Sequence, residues 1–460
     1  MENIFKIIKL GKYREEKIDL PLSAFEAFKR IYPSVENIFL LESLGEEGKY
    51  NRYSYVGFDP QFVIQAKNNE LMINNKIEKI ENPFNYLSYF SNLRSKGNAL
   101  PEGRQGFCGG LVGYFSHEAT KYFEGAFVGH ENREFPDFSF GFYADGLKFD
   151  KKTRECTYFH HGQSRLKKVY SLLHSTGELK KFSYKKLEAG KSKEDHEKMV
   201  LESTKNIKKG DIFQVVLSLR SYFHLTGDTR RIYAILRQIN PSPYMIYMKF
   251  GEKEIISASP ELLIRVKGRE IEHFGTLAGT IRRGGDKKED ERLEQELLRD
   301  EKEKAEHMML VDLARNDVGR ICEFGSVRVE KLASIKKFSH VQHIFSEVHG
   351  RLKRQEDSFS ALASCFPAGT LTGAPKVEAM KIIAKLEGES RGPYGGVGGY
   401  FSLSGESMMA ILIRSLFIDG KSAYTQTGSG IVLDSKVNNE YKEIENKQKA
   451  MEEALKNASM

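Results

Sequence analysis

The chain has 460 residues, 40% of them apolar and 30 of them Phe, which is enough to bury a large core across two or three domains. Its net charge of +8 is spread along the sequence with acidic residues interleaved among the lysines, a pattern that disfavours a nucleic-acid-binding surface. Charges interrupt the N-terminal apolar residues, no window approaches the roughly 18 apolar residues that span a bilayer, and the four cysteines (Cys108, Cys156, Cys322, Cys365) lack metal spacing, so a reduced cytoplasmic protein without membrane or signal segments is expected.

The first half reads as strand-rich, with short alternating stretches at 55–63, 71–80 and 138–149 between Gly, Asn and Asp turns. A Lys-, Ser- and Gly-rich join at 187–193 separates an N-terminal region, 1–186, from a second region, 194–458. The spacing predicts a helix over 192–208, ended by a basic last turn and Gly210. From Asp211 the order is strand, helix, strand pair and strand, then one long charged helix over about 287–313 and helices near 358–366 and 373–386. Strands follow at 396–403, 408–419 and 421–426, and a helix at 439–455 closes the pattern. Tight turns at 249–253 and 419–421 favour antiparallel pairing.

Glu303 and Glu306 stand three residues apart on the long helix, and Glu440 and Glu443 repeat that spacing on the last one. Positions i and i+3 share a helix face, so each helix can turn two carboxylates to one point. Converging carboxylates would suit a hard cation such as Mg²⁺, whereas a solvated Lys-rich face has the same spacing. Phe366-Pro-Ala-Gly-Thr-Leu-Thr-Gly-Ala-Pro-Lys376, Gly395-Gly-Val-Gly-Gly399 and Gly428-Ser-Gly-Ile431 are low-steric stretches that suit either anion-binding backbone or plain turns, and none is a P-loop. His343 alternates with apolar residues as on a half-buried strand. Glu261 sits where a turn enters the apolar run Leu262-Leu-Ile264, a border that can raise a carboxyl pKa. Arg414, flanked by aliphatics in Ala410-Ile-Leu-Ile-Arg-Ser415, needs an anionic partner, for which a substrate carboxylate would serve.

From about residue 20 to 455 these segments resemble the chorismate-utilising enzymes. The resemblance rests on Gly210-Asp-Ile-Phe-Gln-Val-Val-Leu-Ser218, Ser257-Ala-Ser-Pro-Glu261, Leu277-Ala-Gly-Thr280, Glu306-His-Met-Met-Leu-Val-Asp-Leu-Ala-Arg-Asn-Asp317, Phe366–Lys376, Arg391-Gly-Pro-Tyr394 and Gly428-Ser-Gly-Ile-Val432. It implies an α+β fold, antiparallel sheets packed as a sandwich with flanking helices, the active site in the cleft between layers, and the two regions sharing sheets. It also implies roles. Glu303, Glu306, Glu440 and Glu443 match Mg²⁺-binding positions, Glu261 the general acid at the C4 hydroxyl of chorismate, and His343 the histidine beside the ring. Thr280 and Thr370 match ring contacts; Tyr394, Arg414 and the Gly428-Ser429-Gly430 segment match the grip on the substrate carboxylates.

Water-adding members carry a lysine where this chain has Gln214, and glutamine cannot deprotonate water at neutral pH, so ammonia is the implied nucleophile. Members that make aminodeoxychorismate carry a lysine where this chain has Ala278, so release of pyruvate to give anthranilate is favoured. Synthesis of aminodeoxychorismate remains the enzymatic alternative, with a non-catalytic tryptophan-binding regulator as the other. The family's Arg-Pro-Ile-Ala-Gly-Thr reads here Gly275-Thr-Leu-Ala-Gly-Thr280, a departure that bears on local loop geometry. No cysteine sits in a nucleophile-elbow context, so a separate glutamine amidotransferase (glutaminase) subunit is the expected ammonia source. Leu40-Leu-Glu-Ser43 with Asn51-Arg-Tyr-Ser54, and Asn240-Pro-Ser-Pro-Tyr-Met245, resemble the walls of the family's L-tryptophan pocket. Leu41, Glu42, Ser43, Pro243, Tyr244 and Met245 are the implied inhibitor contacts.

Overall fold

In the computed structural model, which describes residues 3–44, 52–91, 93, 106–127, 129–132, 134–188, 190–337 and 341–460, the alternating stretches pair as two large antiparallel sheets. The first runs Tyr13–Ile18, Glu155–His161, Asp145–Asp150, Tyr53–Phe58, Asn37–Glu42 (β1), Tyr244–Phe250 (β3), Lys253–Ser259 (β4), Ser415–Asp419 (β12), Ser422–Ile431 (β13), Gln214–Gly227 (β2) and Phe182–Lys186. The second runs Ala278–Arg282 (β7), Val341–Arg351 (β9), Glu270–His273 (β6), Leu262–Lys267 (β5), Glu406–Ile411 (β11), Val397–Ser402 (β10), Gly110–Phe115, Phe138–Tyr143, Phe62–Lys67, Glu70–Ile73 and Lys76–Lys79, with Arg328–Lys337 (β8) on β9. In both, strands from the first 161 residues continue strands from the rest of the chain. The hairpins at 249–253 and 419–421 form as expected, each turning on a glycine with φ near 60°.

Apolar residues of the two inner faces, among them Phe115, Phe140, Val266, Ile411 and Phe417, merge into one core. The outer face of the first sheet is covered by helices, including Arg230–Ile239 (α2) and Val437–Ala458 (α6), whose Tyr233, Leu236, Met451 and Leu455 enter a second cluster. Buried Ile444, Met451, Leu455 and Ala458 recur at helical spacing, so α6 lays one stripe on the sheet; Glu440, Glu443 and Lys447 belong to its first turns. Among the described residues no helix is long and apolar enough to cross a membrane.

The helix at the join, Lys193–Lys209 (α1), begins with a Ser192–Asp195 capping box and ends at left-handed Gly210, as its sequence predicts. Three elements differ from expectation. The long charged helix is two helices, Lys287–Arg299 (α3) and Glu301–Ile321 (α4): Asp300 leaves helical geometry and its carboxylate accepts from the Lys302 and Glu303 amides, a cap that charged periodicity conceals. The helix expected over 373–386 starts later, as Lys376–Glu387 (α5), because Gly373-Ala374 pair with Gln214-Val215 of β2. The strand expected over 408–419 breaks at Leu412-Ile-Arg414, where Arg414 turns at φ 52°. That break is where the chain leaves the second sheet for the first. At Pro260-Glu261, between β4 and β5, it crosses the other way.

Candidate active site

The two crossings lie side by side. The Ile411 amide donates to the Glu261 carbonyl at 3.0 Å, and the Ala258 amide to the Arg414 carbonyl at 3.2 Å, so a carboxyl and a guanidinium reach one cleft between the layers. The Glu261 side chain is buried, and burial pushes its pKa up to about 7 against the opposing pull of the Thr370 hydroxyl, which donates to Oε1 at 3.1 Å. Arg414 is held below its ordinary value by burial, with Glu443 opposing, and forms no ion pair with any described residue. A guanidinium in that state is built to receive an anion.

A cavity of about 190 Å³ opens at these corners, lined by Gln214, Glu261, Ala278, Gly279, Thr280, Glu306, His343, Thr370, Tyr394, Arg414, Gly428, Gly430, Glu443 and Lys447, among others. Most of the expected residues, drawn from β2, β7, β9, α4, β13 and α6, therefore share one space. Glu303, Glu440 and Ser429 do not line it. Ser429 is the alternation partner of Gly428 and Gly430 and faces Glu440 instead, and the two glutamates stand one helical turn from Glu306 and Glu443.

The Gln214 amide donates to Glu306 Oε1 at 2.7 Å. Gln214 Oε1 is buried without a hydrogen-bond partner among the described residues. A Cβ at position 430 would lie 2.8 Å from that amide nitrogen, and one at 428 would lie 2.9 Å from the Tyr394 hydroxyl, so the two glycines make room for these groups. His343 lies 2.7 Å from the Gly279 carbonyl and 3.1 Å from the Thr280 hydroxyl, both at Nδ1. A carbonyl only accepts, so Nδ1 carries the proton and Nε2 the lone pair. Burial lowers the His343 pKa to about 4, keeping the ring neutral.

Burial raises the carboxyl pKa of Glu303, Glu306 and Glu440; like charges add to it, Glu306 acting on Glu303 and Glu443 on all three. Lys447 compensates in part, with Nζ 2.6 Å from Glu443 Oε1 and 2.9 Å from the Gly428 carbonyl. Raised, mutually repelling carboxylates on two helices form a hard oxygen donor set, which fits a divalent cation. The tightest cluster of metal-ligand atoms among the described residues lies elsewhere: Glu330, Glu347 and His349 on β8 and β9 approach within 4.8 Å. Arg328 on Glu330 and Lys331 on Glu347, each at 2.8 Å, neutralise that cluster as ion pairs.

A second cavity, about 120 Å³, is lined by Leu41, Glu42, Ser43, Arg52, Tyr53, Pro243, Tyr244, Met245, Tyr400, Met408 and Ala410, among others. It joins the end of β1 to the start of β3, where Glu42 pairs with Met245. The Glu42 carboxylate turns to α2, accepting from the Tyr233 hydroxyl at 2.9 Å and from Arg237 at 3.2 Å. Ser43 Oγ is buried without a partner among the described residues. Asn51 of the resembled pocket wall lies outside the described residues.

Lys447 is the site residue that sequence reasoning missed; its place four positions after Glu443, on the same helix face, was the available signal. Lys336, opposite His343 in the β8–β9 ladder, also acts on Glu261, and its position among alternating residues of β8 gave no warning.

Residues 36–453 match the family described as chorismate binding enzyme. The chain is 44% identical to an anthranilate synthase component 1 from Methanothermobacter marburgensis over 460 residues, covering 99% of this chain and 97% of that protein. It is 41% identical to a namesake from Leptospira biflexa, with 98% and 97% covered. The crystal structure of anthranilate synthase component I from Streptococcus pneumoniae superposes with a TM-score of 0.77 at 34% identity, covering 88% of this chain and 93% of that one. A menaquinone-specific isochorismate synthase from Escherichia coli shares the fold, with a TM-score of 0.74 at 19% identity and 98% and 97% covered.

Proposed function

The chain belongs to the chorismate-binding enzymes, and from that premise we propose that it converts chorismate and ammonia to anthranilate and pyruvate, as the names of the relatives above suggest. The observation that carries the choice of nucleophile is Gln214. Its Nε2 is committed to Glu306, which leaves a buried Oε1 able to accept an N–H of ammonia, and an amide at this position cannot itself deprotonate water. Ala278 on the opposite wall offers no amine.

Arg414 pairs with one carboxylate of the dianionic substrate, with Tyr394 and the Gly428–Gly430 backbone beside it. Glu306 and Glu443, supported by Glu303 and Glu440, would hold Mg²⁺, which supplies positive charge for the ring carboxylate. Glu261, protonated below about pH 7, gives its proton to the departing C4 hydroxyl as ammonia bonds to C2, and water leaves. The second stage removes the C2 proton and breaks the C3–O bond, releasing enolpyruvate, which tautomerises to pyruvate as the ring becomes aromatic. Neutral His343, oriented by the Gly279 carbonyl, stands beside the ring in both stages.

All four cysteines are buried, and burial raises the thiol pKa of Cys156 to about 12, that of Cys322 to about 11 and that of Cys365 well above its ordinary value, which is the opposite of an activated nucleophile. Ammonia therefore comes from a separate glutamine amidotransferase subunit. The second cavity binds L-tryptophan as inhibitor: Pro243, Tyr244 and Met245 face the indole, and Ser43 offers the unpartnered hydroxyl. Chorismate, Mg²⁺ and an ammonium salt should give anthranilate fluorescence with stoichiometric pyruvate. Isochorismate or aminodeoxychorismate as the product, or none, would overturn the reading.

A further inference from the structure

β9 loses its backbone partners on both sides at one residue. On one side β6 pairs down to His273↔Val348 and β7 resumes at Ala278↔Ile344, so residues 274–277 leave the ladder. On the other, β8 shifts register between Glu330 and Ser334, with Lys331 and Ala333 at positive φ. Ser346 lies between the two gaps, fully buried, where unpaired backbone groups would be costly.

Hydroxyls replace the missing strands. Thr276, also fully buried, donates from Oγ1 to the Ser346 carbonyl at 2.6 Å and accepts from the Ser346 amide at 3.0 Å, so one side chain does what a ladder residue would do. Ser346 Oγ accepts from the Ala333 amide at 2.9 Å and bonds His307 Nε2 at 2.7 Å. His307 follows Glu306 on α4, and Thr276 is two residues before the Ala278–Thr280 segment, whose Gly279 carbonyl orients His343. A Cβ at Gly279 would lie 3.0 Å from Glu303 Oε2, so segment and helix leave each other no slack.

We propose that Thr276 is a positioning residue of the active site: its hydroxyl, through Ser346 and His307, sets the register between the Ala278–Thr280 wall and the carboxylates of α4. Proline, the residue at this place in the resembled motif Arg-Pro-Ile-Ala-Gly-Thr, has no hydroxyl and cannot make the clamp, so the departure from that motif is an alternative construction rather than a loss. The inference rests on reading the cavity as the chorismate and Mg²⁺ site.

Thr276→Val removes the hydroxyl at constant shape, and Thr276→Ser keeps it. With valine, hydrogen exchange at the Ser346 amide should lose protection, Mg²⁺ binding followed by calorimetry with the metal alone should weaken several-fold, and kcat should fall about 10-fold or more, since small misplacements are costly to oriented chemistry. Serine should restore all three. Valine indistinguishable from wild type in Mg²⁺ affinity and kcat, or serine as impaired as valine, would overturn the proposal. If the valine variant does not fold, Ser346→Ala decides: it cuts the bonds to His307 and Ala333 but spares the Thr276 clamp, so Mg²⁺ affinity and kcat should fall while the amide stays protected, and wild-type values would refute the link. A wild-type enzyme that makes no anthranilate would remove the functional reading while leaving the exchange and Mg²⁺ arms to be judged on their own.

Discussion

The two cavities differ in how their charges are matched. Around the second, the ionic groups are satisfied internally: Glu42 by Arg237 and Tyr233, and Arg265 by Glu406 at 3.0 Å and Glu272 at 3.2 Å. Around the first, compensation is incomplete. Arg414 has no ion-pair partner among the described residues, and like charge adds to the burial cost of the carboxylates, Glu306 acting on Glu303 and Glu443 on both. A site that holds unmatched charges in place is pre-organised for a charged ligand, and the fold carries the strain of keeping them. The second cavity asks only for shape and one hydroxyl contact.

If that contrast is right, substitutions in the first cavity should be far more damaging to turnover than those in the second. The largest effect should come from Glu306→Ala, which deletes a proposed metal ligand and the acceptor of the Gln214 amide together. Turnover should fall by about 10³-fold or more, and calorimetry should show weakened Mg²⁺ binding in a folded protein. Near-normal rates without added magnesium would contradict the assignment. Arg414→Gln comes next. Losing one member of a buried charge pair with the substrate costs ~3 kcal/mol, about 10²-fold in kcat/KM. An unchanged kcat/KM for chorismate would place the carboxylate elsewhere.

Glu261 gives a smaller, graded effect with a fixed sign. If its acid form is the working one, its pKa, raised to about 7, predicts that at constant free ammonia kcat/KM for chorismate falls about tenfold per pH unit above that value and levels off below it. The same shift affects the fold. Between the ordinary carboxylate value of 4.5 and about 7 the folded chain holds a proton that the unfolded chain lacks, so stability should decline as pH rises through this window. Glu261→Gln should lessen that decline, leaving the share of Glu118, whose carboxyl burial also pushes up to about 7; a profile unchanged from wild type would mean that Glu261 titrates normally.

Much of this was legible in the sequence because the chemistry sits in contiguous motifs. The i, i+3 glutamates, Glu261 at a turn-strand border and Arg414 among aliphatics each carried a local physical oddity. Local signals did not reveal where the chain changes sheet. Residues 408–419 read as one strand because Leu412 and Ile413 continue the apolar run, and only tertiary pairing shows that Arg414 turns at positive φ between two sheets. The cap at Asp300 was hidden by charges on either side of it. Thr276 looked like a defect in a motif, since its partner Ser346 is distant in sequence and lies opposite a gap that no periodicity marks.

The smallest predicted effect tests the other side of the comparison. Tryptophan needs a donor or acceptor for its charged end, and Glu42, one of the implied inhibitor contacts, is engaged by α2. Ser43 Oγ remains as an unpartnered group in the lining, and Met245 packs nearby. Ser43→Ala should therefore remove about one neutral hydrogen bond, ~1 kcal/mol, and raise the inhibitory tryptophan concentration about fivefold. Uninhibited turnover should be nearly unchanged, because no charge of the first cavity is touched. The route between the cavities is short. β11 carries Met408 and Ala410 at the second, and the same segment ends at Ile413 and Arg414 in the first. Tryptophan that holds β11 in one position thereby biases where Arg414 stands, and linkage then requires chorismate to weaken tryptophan binding by the factor that tryptophan weakens chorismate. Calorimetric titration of tryptophan with and without chorismate measures that factor. Equal affinities in the two titrations, or a Ser43→Ala chain that binds tryptophan as tightly as wild type, would separate the second cavity from regulation.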